Sequence, residues 1–148
     1  MAHKSNYLEN KLTDWYWRGQ AFTPPSTHYF ALFTVSPSDT GGGTEVSTSG
    51  SGYARVGVAA SLANFAGTQS AGSTTASSGT GGTTSNNGTI TFGAPTSNWG
   101  TIVAIGIFDA SSGGNMTHWI PLTTARLVNS GDAAPSFAAG SFTFQEDN

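Results

Sequence analysis

The side chains of this sequence that could do chemistry are three histidines, eight carboxylates, many serines and a set of large aromatics. Hydrolysis by a nucleophile needs a base beside it and an acid that orients the base. His3 lies in the terminal segment, His28 follows Thr27 at the start of a predicted strand, and His118 lies within another. No serine stands in a Gly-x-Ser-x-Gly elbow, and Gly50-Ser51-Gly52 is a loop tripeptide. The histidines read as half-exposed strand residues, and no catalytic residue is assigned.

Glycoside hydrolysis needs two carboxyls facing one cleft. Away from the termini and the first predicted helix, the acids are Asp39, Glu45, Asp109 and Asp132, each in or beside a Gly-rich turn. Carboxylates in such places commonly accept backbone amides. Loop acids also suit calcium, but no Asp-x-Asp-x-Asp-Gly loop is present, so no metal site is assigned. Gly41-Gly42-Gly43-Thr44 lacks the Gly-Lys-Ser/Thr ending of a phosphate loop. No cofactor is expected.

The aromatics are the better candidates for binding. Trp99, in Asn98-Trp99-Gly100, stands at a turn before an apolar strand, where a ring could be displayed to stack on a sugar or could plug the end of the fold. Trp15-Tyr16-Trp17 cannot all face one way on a helix. If Leu8, Leu12, Trp15 and Tyr16 pack on the body, Trp17 is left for a neighbour, and an exposed Trp makes an interface anchor. Leu8, Leu12, Trp15 and Trp17 are therefore the candidate docking residues, and Trp99 the candidate glycan-stacking residue.

The elements that must position these groups follow from periodicity. Leu8, Leu12, Trp15 and Tyr16 share one helical face, Asn6 and Glu9 have the spacing of a capping box, and Gly19 is a natural stop. Pro24-Pro25 bars continuation of the helix. His28 to Val35 and Thr101 to Phe108 carry apolar groups on both faces and are expected to be covered on both sides, the second as a central strand. Shorter strands are predicted at Tyr53 to Ala60, Thr89 to Phe92, Met116 to Ile120 with Pro121 as its end, Leu122 to Val128, and around Phe137 and Ser141 to Phe144. Ala66 to Asn87 is a Gly/Ser/Thr tract, read as a long flexible loop over 66–87. The fold class is all-β: an antiparallel β-sandwich, jelly-roll-like, with one short N-terminal α-helix. The arm and helix take residues 1–19 and a single sandwich domain takes 20–148.

Composition agrees. Only 9% of the 148 residues are charged, against roughly 25% in ordinary soluble domains. Aromatics make up 11% and can supply a core that the aliphatics alone would not. No Asp, Glu, Lys or Arg occurs between Arg55 and Asp109, so most of the body is neutral and suited to contact with other subunits. Without a basic cluster no nucleic-acid partner is expected, and without a long apolar run no membrane span. Cysteine is absent, which rules out disulfides and thiolate chemistry. The first residues are unlike a signal peptide, and the expectation is a protein made in the cytoplasm and built into an assembly.

Several segments resemble a family of small bacteriophage virion proteins usually labelled phage tail fibre proteins. They begin with Asn6-Tyr7-Leu8-Glu9-Asn10-Lys11-Leu12, Phe22-Thr23-Pro24-Pro25, Ala31-Leu32-Phe33 and Pro37-Ser38-Asp39. They continue through Gly43-Thr44-Glu45-Val46, Tyr53-Ala54-Arg55-Val56, Asn98-Trp99-Gly100-Thr101 and Gly106-Ile107-Phe108-Asp109, and end with Gly131-Asp132 and Pro135-Ser136-Phe137-Ala138. The resemblance runs in order along nearly the whole chain and brings no catalytic residues with it. It implies a non-enzymatic structural protein on the exterior of a virion, present in the host cytoplasm during assembly. Its expected partners are further copies of itself and other virion proteins, major capsid or tail, with a host surface glycan as a candidate ligand.

Lacking heptads and fibrous repeats, the sequence fits a capsid decoration (cement) subunit a little better than a tail fibre or baseplate component, whereas the family label favours the tail. A stand-alone carbohydrate-binding module is the third reading. In both virion readings the neutral faces self-associate, the N-terminal helix docks on the particle, and the Gly/Ser/Thr loop faces outward or lies across a neighbour.

Overall fold

Apolar residues on both faces commit two strands to the middle of a sheet. The computed structural model describes residues 2–146. In chain order it contains β1 (His3–Lys4), α1 (Asn6–Arg18), β2 (Thr27–Val35), β3 (Thr44–Glu45), β4 (Val56–Ala59), β5 (Thr83–Ser85), β6 (Ile90–Thr91), β7 (Gly100–Phe108), β8 (Met116–Val128), β9 (Ser136–Phe137) and β10 (Thr143–Gln145). The main antiparallel sheet runs β1-β8-β7-β2-β3, with β4 also paired to β2. Two ribbons, β5–β10 and β6–β9, form the second layer of the sandwich.

The main core lies between the layers. Phe30 and Leu32 of β2, Ile102, Ile105 and Ile107 of β7, and Val128 of β8 meet Ile90, Phe92, Phe142 and Phe144 from the ribbon side. Phe30 stacks on Phe142 with centroids 5.3 Å apart. The opposite face of the sheet holds a smaller cluster of Ala31, Phe33 and Ala104 with Val103 and Phe108 packed against it. Gly106 is required there, because a Cβ at that position would lie 2.6 Å from the Phe33 ring.

The helix, the two double-faced strands and the one-layer-on-another arrangement stand where sequence placed them. Local details differ for identifiable reasons. Ser5, not Asn6, is the N-cap: its Oγ accepts from Leu8 N, and Asn6 is already helical. Ile102 faces the same core as Ile105 and Ile107, because a bulge between Ile102 and Ala104 breaks the alternation. At that same bulge, Leu122–Ala125 stand opposite Val103 alone, since Ala104 pairs with Pro121 and Ile102 with Arg126. The segments on either side of Pro121 therefore form one continuous strand rather than two, with the missing proline N–H at the irregularity.

Tyr53 and Arg55 fall outside β4, whose pairing with β2 begins at Val56, and their side chains are engaged elsewhere. The Tyr53 hydroxyl donates to Glu45 and accepts from Leu32 N. Arg55 makes a bidentate pair with Glu45 at 2.9 and 2.7 Å, donates to the carbonyls of Ala110 and Gly113, and lies over the Phe108 ring. One guanidinium thus ties β3, β4 and the turn after β7 together.

The 66–87 tract contributes β5, whose partner is β10. Its remainder is a set of turns closed by hydrogen bonds, with Gln69 donating to Ser73 and Thr75 and accepting from Ser78 N. The buried Asn86 fixes where it rejoins the body: its side chain donates to the carbonyls of Gly88 and Ala138 and accepts from Phe142 N. Replacing Asn86 by Ala strands three backbone groups, and the chain is expected to lose about 3 kcal/mol in urea unfolding.

Candidate functional site

A helix of thirteen residues is marginal by itself in water, and this one is held chiefly at its root. Ser5 N donates to Thr117 O, Asn6 N to Asp39 O, and Ser5 Oγ to Met116 O. Trp119 closes the root from the side, stacked on His3 at 4.4 Å with its Nε1 donating to Asp39. Leu8 is buried and Leu12 half-buried. Beyond them the contact with the body ends: Trp15 is 53%, Tyr16 69% and Trp17 78% exposed. Gly19, in the left-handed conformation, stops the helix, and an Arg18–Asp14 pair at 2.7 Å braces its last turn.

The candidate docking residues therefore separate into two groups. Leu8 and Leu12 seat the helix on its own body. Trp15 and Trp17 stand at its far end, joined through Tyr16, whose ring lies 4.8 Å from that of Trp17 and 6.2 Å from that of Trp15. The expectation that Trp15 and Tyr16 pack on the body is corrected: the body reaches only the first two turns. Among the described residues, these three are the exposed Trp and Tyr rings.

Trp99 is not displayed. It is 6% exposed, stands edge-on to Tyr53 at 5.4 Å, and donates from Nε1 to Ser51 O at 2.7 Å. A ring with both faces covered offers no platform to a sugar, so the glycan-stacking expectation at Trp99 is overturned by packing. The acids are likewise occupied. Asp109 accepts from Asn115 backbone and side chain, Asp132 from Asn129 N, and Glu45 from Arg55 and Tyr53.

The structure also makes a site that sequence reading missed. Antiparallel register puts Phe30, Ile107 and His118 in one row across β2, β7 and β8. His28, two residues along β2 on the same face, joins His118 in lining a hollow of about 290 Å³ with Phe65, Ile107 and Phe144. His28 stands edge-on to Phe65 and His118 is steeply tilted against Phe144, each pair 5.3 Å apart. The two histidines are far apart in sequence, and only the pairing through β7 brings them together; no spacing signal could have shown it.

Burial pushes both imidazoles below their ordinary 6.5, His118 to about 4. At His118 the charge of Lys4 and the neighbouring His28 act in the same direction as burial, and Glu146 opposes them. A lowered imidazole means the unfolded chain binds more protons between pH 6.5 and 4. Stability is therefore expected to fall as the pH drops through that window, by up to about 3 kcal/mol for His118 at about 1.4 kcal/mol per unit. Urea unfolding at stepped pH reads this slope, and His118→Asn should flatten it. The two kinds of tryptophan should also part: Trp99→Ala costs about 3–5 kcal/mol, Trp17→Ser less than about 0.5 kcal/mol, in the same unfolding assay.

With this geometry in place, comparison with known proteins gives one family. The family model described as Podophage GP4 fiber I protein gp80 matches residues 3–145, from the first residue of β1 to the last of β10. No curated protein matches the chain.

Proposed function

This chain belongs to the family of the Podophage GP4 fiber I protein gp80, and from that premise we propose that it is a tail fibre subunit whose projecting helix attaches it to the particle. Membership makes it a phage fibre protein, a structural component of the virion, in a family that is a fibre family rather than an enzyme class. The attachment is carried by one observation: a capped helix, rooted on the sheet, holds Trp15, Tyr16 and Trp17 away from the body and in water. A monomer gains nothing from three solvated rings, whereas an interface gains large anchors of low conformational entropy.

Capsid decoration is the reading that small size and the lack of a shaft favour, and the fibre membership weighs against it. The neutral stretch from residue 56 to 108 suits subunits packed side by side in either place. In the tail reading, the β body extends outward and presents its loops to the surroundings.

The reading is tested in phage carrying Trp15→Ser and Trp17→Ser together, changes on exposed positions that leave the β body and its core untouched. Purified mutant particles are expected to lose the protein, measured by quantitative mass spectrometry against the major capsid protein. Gold-labelled antibody on wild-type particles should mark the tail. Normal occupancy of the mutant would overturn the helix as attachment element, and label spread over the head would favour decoration.

A further inference from the structure

Of the asparagines in the sequence, only Asn87 precedes a glycine. Its side chain is also what ties the turn after β4 and the tip of the Gly/Ser/Thr tract to one point. We propose that Asn87 is a site of spontaneous deamidation, and that its conversion releases this excursion from the body.

In an Asn-Gly pair the glycine nitrogen can reach the asparagine Cγ, because no glycine Cβ stands in the way. Gly88 N gives up its proton to base and bonds to Asn87 Cγ. The Cγ–Nδ2 bond breaks, ammonia leaves, and a five-membered succinimide remains. Water then opens the ring. Attack at Cγ gives aspartate, and attack at the main-chain carbonyl carbon of residue 87 gives isoaspartate. One water is consumed and one ammonia released, with no cofactor and no change of oxidation state. The site is open to water and base: Gly88 and Thr89 are exposed, and a Cβ at Gly88 would meet nothing within 4 Å. Among the described residues, Gly88 N donates to no backbone carbonyl.

The product does not fit where the amide does. Asn87 Nδ2 donates to Leu62 O at 3.3 Å and Ala63 O at 3.1 Å, and Oδ1 accepts from Gly72 N at 3.0 Å. A carboxylate only accepts, so after conversion two carbonyls lose their donor and face a negative charge instead. No lysine or arginine between Arg55 and Arg126 is present in the sequence to offset it. Isoaspartate also lengthens the main chain by one methylene beside the buried Asn86, whose Nδ2 holds Gly88 O at 2.7 Å. The same three hydrogen bonds restrain the reaction. The amide must leave Leu62, Ala63 and Gly72 before Cγ can meet Gly88 N, so the folded chain reacts through local opening. The result is a slow, irreversible loosening that each copy undergoes once.

The test ages the purified full chain in mildly alkaline buffer and maps its peptides by mass spectrometry, with electron-transfer fragmentation to separate aspartate from isoaspartate. Residue 87 is expected to be the first amide lost and to give both products, more slowly in the folded chain than in urea. Gly88→Ala, which the open space accommodates, should largely abolish the conversion. Asn87→Asp should speed hydrogen exchange at the Asn64, Phe65 and Asn87 amides, which close this turn, and leave Ile105 in β7 protected. An Asn87 that stays intact in the folded chain while it reacts in urea would overturn the proposal. So would aspartate as the sole product, an unchanged rate in Gly88→Ala, or exchange in Asn87→Asp that matches the wild type.

Discussion

The pairing of β2 with β7 is the constraint on which the other elements depend. Phe30 opposite Ile107 and Leu32 opposite Ile105 put large apolar groups on one face, while Ala31 and Phe33 with Ala104 put a second set on the other. A strand pair that is apolar on both faces is stable only when both faces are covered. The ribbons β5–β10 and β6–β9 cover one, and the Phe108 ring beneath Arg55 closes part of the other. The same register that builds the core carries His118 into line with Phe30 and makes the histidine hollow. Core and hollow are consequences of one alignment, and a slip of one residue would turn both inside out.

A chain so poor in charge and aliphatic mass is stabilised by placing a few polar side chains well. Arg55 satisfies both oxygens of Glu45 and two carbonyls while lying on Phe108. Asn86 does the equivalent at the junction of β5, the turn after it and the start of β10. Among the described residues no buried side-chain polar atom lacks a partner. Buried polar groups specify one arrangement only when all of them are satisfied, and these are. The Ser, Thr and Asn that take the place of charged residues in this composition supply local hydrogen bonds to turns, which is how the 66–87 tract closes on itself.

How much of this was legible in the sequence depends on the range of the forces involved. The helix ends were readable to within a residue, because caps act locally: Gly19 was placed correctly and the N-cap fell one residue early, at Ser5. The double-faced strands were readable because alternation is local too. What failed was set by long-range register. Ile102 shares a face with Ile105 and Ile107, against strict alternation, through a bulge that depends on four residues of another strand. Trp99 could have been at the surface or in the core until Tyr53 and Ser51 closed over it. Membership of a fibre family supports the resemblance seen in the sequence; the docking assignment gained a distinction that periodicity could not make, between the part of a helical face that meets its own body and the part that outruns it.

That distinction bears on why the helix persists without tertiary support along its length. Its apolar face continues past the body, so packing stabilises only Leu8 and Leu12. The outer turns rely on the Gly19 cap, the Asp14–Arg18 pair and contacts among the aromatic rings themselves, each worth a fraction of a kcal/mol to about 1 kcal/mol. Burying each ring against a partner removes on the order of 150–250 Å² from water, which at about 25 cal/mol per Å² is a gross gain of roughly 4–6 kcal/mol. That exceeds everything that now holds the outer turns. Under the proposed attachment, the partner, more than the chain's own body, would fix the tip, and its surface would determine the final order of the outer turns.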